Sequence, residues 1–130
     1  MDKLTRPLYR LEKGKGRTKV YLTAWGLGHD ILVCAYNRNI HMGAVAVSQF
    51  DDKSSRVFTS TITATGHKDD AVAQKIAYAI CKHTRKATCV IAGLHIDNIT
   101  ETEIAEILHN TDELAEEFAH SLTLTGQGSH

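Results

Sequence analysis

The sequence predicts an α+β fold: a largely antiparallel β-meander, then a crossover helix, a further strand and a C-terminal helical segment. Three observations carry this. Apolar residues alternate or form short β-branched runs through the first half of the chain, the hydrophobic period changes to 3.6 after Gly66, and polar, glycine-bearing clusters separate the runs at strand-length intervals. With 130 residues, 42% of them hydrophobic and 23% charged, the chain has the size and aliphatic content of one globular domain. That single domain is expected over residues 1–122, with 123–130 a flexible polar tail.

A short strand near Pro7 to Glu12 leads into the basic loop Lys13-Gly14-Lys15-Gly16. Arg17 to Trp25 then alternates faces, with Val20, Leu22 and Ala24 on one side, the pattern of a half-buried strand. After the turn Gly26 to Asp30, the continuous apolar run Ile31 to Tyr36 suits a central strand covered on both faces. Asn37 to Asn39 turns the chain, and Gly43 to Phe50 and Arg56 to Thr63 are two further strands around the polar stretch Asp51 to Ser55. Val72, Ala73, Ile76, Ala77 and Ile80 form one stripe of a helix from about Lys68 to Lys86. Thr88 to Leu94 is a last buried strand. Thr100 and Glu103 have capping-box spacing for a helix buried through Ile104, Ile107 and Leu108. A similar signal at Asn110 to Glu113 predicts that a second helical segment starts there, buried through Leu114, Ala115 and Phe118.

Charge narrows the function classes. Fifteen Lys plus Arg balance fifteen Asp plus Glu, which removes the basic surplus expected of a nucleic-acid binder. The balance is uneven along the chain: residues 1–20 hold seven bases and two acids, and residues 87–130 hold eight acids and no Lys or Arg. This is read either as solvated faces or as a self-complementary or partner-facing surface. A charged N-terminus without an apolar core, and no apolar run near membrane length, predict a cytoplasmic protein without membrane contact. Cys34, Cys81 and Cys89, odd in number and without CxxC spacing, read as reduced core thiols.

No GxSxG, HExxH, Walker or GxGxxG motif occurs. Three of the eight histidines fall where a strand meets a turn: His41 in His41-Met42-Gly43, His67 in Gly66-His67-Lys68-Asp69-Asp70, and His95 in His95-Ile96-Asp97. Gly66, His67 and Lys68 before a helix offer backbone N–H groups and a cation to a phosphate, whereas Asp69 and Asp70 are the acids that ordinarily complement a helix dipole. His95 and Asp97 share a side of an extended strand, so the carboxylate either orients the imidazole or, with Asn98, caps the next helix. A metal site built from His41, His67 and His95 is chemically open to imidazole ligands but has no short ligand spacing. His29, His83, His109 and His120 read as surface or turn residues.

The stretches WGLGHDILV (25–33), HMGAVAVS (41–48), TGHKDDAVAQKIA (65–77) and AGLHIDNITETEI (92–104) resemble the prenylated-flavin chaperone-like domain, the small D-type accessory subunit of hydroxyarylic acid decarboxylases. The strand order and the pattern from Ile62 to Ile76 are more distantly similar to the fourth proteasome assembly chaperone. The first resemblance implies a non-catalytic accessory protein that binds, protects or delivers prenylated FMN (or FMN), forms a homodimer and serves a decarboxylase catalytic subunit. It assigns cofactor binding to His41, Gly43, Gly66, His67, Lys68, Asp69, His95 and Asp97; in physical terms Trp25 or Tyr36 would add an apolar wall. Met42 stands where Ile is commoner in the family, and Thr65 where Pro often precedes the glycine. The alternatives are an assembly chaperone without a small-molecule ligand and a His-rich metal-dependent enzyme.

Overall fold

In the computed structural model, which describes residues 9–38, 41–63 and 67–124 but not the side chains of residues 67, 68, 123 and 124, one mixed sheet has the order β1-β2-β3-β6-β4-β5. The strands are β1 (Tyr9–Lys13), β2 (Val20–Leu27), β3 (Asp30–Tyr36), β4 (Ala44–Asp51), β5 (Arg56–Thr63) and β6 (Thr88–Gly93). The helices are α1 (His67–Thr84) and α2 (Glu101–Leu124), and a 3-10 turn spans Gly16–Thr18. Of the five strand pairings only β3 with β6 is parallel, so the sheet is α+β and largely antiparallel, as the alternating pattern predicts. β6 enters between β3 and β4. β5 and β6 both run antiparallel to β4, so α1 joins two parallel strands across it, the geometry that requires a crossover helix.

Alternation decides which residues meet the helices. Val20, Leu22 and Ala24 of β2, Ile31, Val33 and Ala35 of β3, Ala44 and Ala46 of β4, and Val90 and Ala92 of β6 are all buried. They pack against the expected α1 stripe and against Ile107, Leu114, Ala115 and Phe118 of α2. Small alanines on the sheet let α1 lie close to β4 and β6, so this layer is filled by the bulk of Val72, Ile76 and Ile80.

Three expectations need correction. β3 is central but covered on one face only: Leu32, Cys34 and Tyr36 are half-buried, because both helices lie on the opposite face. Cys81 is buried as expected, but Cys34 and Cys89 lie half-buried on that open face; desolvation holds all three thiols above their ordinary pKa, which leaves them poor nucleophiles. The helix does not restart at Asn110. α2 runs unbroken from Glu101, because the Asn110 amide is used elsewhere, donating to the Thr18 carbonyl at 3.2 Å. Pro7, Asn39 and residues 125–130 lie outside the described residues.

Part of the uneven charge is paired within the chain. Lys13 pairs with Glu117 and, at 3.7 Å, with Glu113, while Lys75 meets Asp112 at 3.3 Å. Arg17 reaches both Glu103 oxygens at 2.7 and 3.0 Å, a bidentate pair that ties the 3-10 turn to the start of α2. The expected capping box also forms there: the Glu103 N–H donates to Thr100 Oγ1 at 3.1 Å, and the Thr100 N–H donates to the Glu103 carboxylate at 3.0 Å. Arg17 first and Thr100 second hold the Glu103 carboxyl down to about 2.

Candidate functional site

β3 and β6 end side by side as parallel neighbours, and the segments that follow them stay in contact, because Asn37, just after β3, is hydrogen-bonded to the backbone of His95, just after β6. The carboxyl ends of parallel strands are the usual ligand position in open sheets. Asp69, in the first turn of α1, points into this same place.

The two returning segments approach too closely for side chains. The Gly43 N–H donates to the Ala92 carbonyl at 2.9 Å, and a Cβ on Gly43 would collide with the Asp69 carboxylate. A Cβ on Gly93 would occupy the position of the His41 carbonyl. Asp69, only 2% exposed, accepts a hydrogen bond from the Leu94 N–H at 3.0 Å, joining the start of α1 to the end of β6. It is therefore a brace beneath the surface, and the group it presents outward is His41, whose Nε2 lies 3.8 Å from Oδ2.

His95 forms a second His–Asp couple, with Nε2 2.9 Å from Asp97 Oδ1. A carboxylate only accepts, so Nε2–H is the donor of this bond. The backbone beneath is clamped by Asn37, which donates to the His95 carbonyl at 2.8 Å and accepts from its N–H at 3.2 Å. The two imidazoles stand edge to face with centroids 6.3 Å apart. His41, Gly43, Asp69, His95 and Asp97, drawn from three motifs far apart in sequence, therefore meet in one place. Gly66 and the His67 and Lys68 side chains lie outside the described residues. Among the described residues no three His, Cys, Asp or Glu side chains are grouped to hold a metal ion.

His95 lines a cavity of about 340 Å³ together with Arg17, Lys19, Tyr21, Asn37, Arg38 and Asp97. Tyr21 stacks on Tyr36 with centroids 5.5 Å apart, and the Tyr36 hydroxyl is 3.0 Å from that of Thr23. Tyr36 thus supports the cavity wall through Tyr21. Trp25 does not: it pairs with Leu32, four residues along β2 from Tyr21, which is about 13 Å away. Tyr21, Asn37 and the three cations belong to no motif in the sequence. Their only signals were the basic excess of residues 1–20 and the Asn-Arg pair closing β3.

The profile of the prenylated flavin chaperone LpdD-like domain matches residues 14–123, which contain every element from the 3-10 turn through β6 and nearly all of α2. The chain belongs to this family. Among curated LpdD-like relatives, Protein LpdD of Lactiplantibacillus plantarum is 26% identical over 90 residues, a match spanning 68% of this chain and 66% of that protein. The LpdD-like fold also superimposes on a chain of a chaperone complex for yeast 20S proteasome assembly, with a TM-score of 0.62 at 10% identity, covering 89% of this chain and 95% of the other. That likeness is one of fold. No described helix is long and apolar enough to cross a membrane.

Proposed function

We propose that this protein is a non-catalytic accessory chaperone that binds prenylated FMN and delivers it, protected, to a cytoplasmic decarboxylase of hydroxyaromatic acids. The observation that carries the reading is the meeting of two His–Asp couples beside a cation-lined cavity at the open end of the β3–β6 pair. This donor set fits a phosphorylated flavin. Imidazoles donate to and accept from polar ring and ribityl atoms, and Tyr21 gives a flat apolar wall. The reactive chemistry belongs to the cofactor and to the enzyme that receives it. Here His41 and His95 bind, Asp69 and Asn37 hold them in place, and Gly43 and Gly93 let the binding segments close over the strand ends.

The same reading includes a homodimer. The sheet face away from the helices is apolar, with Phe58 56% exposed and Ile62 73% exposed beside Val45 and Val47. A second copy of that face supplies a matching apolar surface across a two-fold axis.

Anaerobic incubation with prenylated FMN, desalting and an absorbance spectrum test the binding claim. The protein is expected to retain flavin, and His41→Asn and His95→Asn each to weaken binding by roughly three- to tenfold, the value of one neutral hydrogen bond. The double variant should lose less than the product, because both act on one bound molecule. A protein that retains no flavin and instead holds partner subunits is an assembly factor, and the proposal fails.

A further inference from the structure

We propose that the phosphate monoester of the flavin is held in the Arg17–Lys19–Arg38 cavity and not at the start of α1. This rests on the flavin-binding reading above and adds the place and polarity of the ligand. The start of α1, with Gly66 before it and Lys68 in its first turn, is the position the sequence offers for a phosphate. The structure fills it with negative charge already: Asp69 is buried there with its carboxylate committed to the Leu94 N–H, and Asp70 follows, bonded to the Thr63 hydroxyl at 2.6 Å. A second anion beside a buried carboxylate meets like-charge repulsion that solvent screens poorly.

The cavity has the opposite polarity. Three of its lining side chains are cationic and one, Asp97, is acidic; the acid faces the His95 ring at 2.9 Å. The cations differ in role. Arg17 is committed to both Glu103 oxygens and to the Asp97 carbonyl at 2.8 Å, so it builds the wall. Lys19 meets Glu12 at 3.1 Å in a partly exposed pair, an interaction weak enough in water to exchange for a dianion, and its Nζ sits 5.4 Å from the centre of the Tyr21 ring. Arg38 has no ion-pair partner among the described residues and presents a planar fork suited to phosphate oxygens. A volume of about 340 Å³ lies at the lower end of small-ligand sites. It is room for part of a mononucleotide, with the remainder running past His95 onto His41, 6.3 Å further between ring centroids.

The test compares prenylated FMN with its dephosphorylated form, prenylated riboflavin, in anaerobic titrations of the wild type, Lys19→Gln/Arg38→Gln, Arg38→Lys and Lys68→Gln, each checked for an unchanged thermal melt. The wild type should favour the phosphorylated ligand at least tenfold. The double variant should bring that ratio close to one without changing prenylated riboflavin affinity, Arg38→Lys should keep most of it, and Lys68→Gln should leave it intact. A ratio unchanged in the double variant, or abolished by Lys68→Gln, overturns the assignment while leaving flavin binding standing. Equal wild-type affinity for both ligands does the same. Binding of neither ligand removes the functional reading itself.

Discussion

Replacing Gly43 with alanine probes the brace beneath the site. The new Cβ would stand 2.7 Å from the Asp69 carboxyl carbon, against an ordinary carbon–carbon contact of about 3.5 to 4 Å, so the carboxylate must withdraw by about 1 Å. It has little room to do so without stretching its 3.0 Å bond from the Leu94 N–H past hydrogen-bonding range. A hydrogen bond to a charged group contributes about 1.5 to 3 kcal/mol, and overpacking costs about 1 to 3 kcal/mol, partly for the same displacement, so the loss expected is roughly 2 to 4 kcal/mol. In urea, with a slope of about 1.5 kcal/mol per molar, the midpoint should fall by roughly 1.3 to 2.7 M. Asp69→Ala removes the obstacle, so Gly43→Ala introduced into that variant should cost about 1 to 3 kcal/mol less than in the wild type. A Gly43→Ala midpoint within error of wild type, or strict additivity in the double variant, would refute the brace.

Two further outcomes follow from the charge pairs and the open sheet face. Because Glu103 is held down to about 2 in the folded chain, against an ordinary carboxyl near 4.5, its contribution is complete above the latter and disappears as pH falls through the former. The stability gap between wild type and Glu103→Gln should therefore be present at pH 6 and shrink between pH 4.5 and 2 in urea titrations; a gap constant over that window removes Glu103 as the source. Val47→Lys with Ile62→Lys places like charges on the apolar face, so sedimentation should show a dimer for the wild type and a monomer of unchanged fold for the variant. A wild-type monomer, or a variant still dimeric, would assign assembly to another surface.

The sequence is legible where local chemistry decides the outcome. The α1 stripe is buried residue for residue, and Thr100 and Glu103 cap α2 as their spacing requires. Asn110 misled because an amide that looks like a cap was recruited by the Thr18 carbonyl, 92 residues away. The insertion of β6 between β3 and β4 is likewise a pairing choice that no window along the chain encodes. The candidate site divides the same way. The histidine motifs are visible in sequence, and the structure joins all three, through His41, Asp69 and His95. Their supports did not stand out: Asn37 looked like any turn residue, Gly93 like a strand end, and Lys19, Tyr21 and Arg38 become neighbours only once β2 lies against β3.

The Arg17–Glu103 pair sets an order of events. During synthesis the basic first segment and the sheet strands emerge well before the acidic helix that neutralises them, and contacts of such long sequence separation close late. Until α2 arrives, Arg17 has no Glu103 carboxylate to hold it. The cavity wall is thus completed by the last helix.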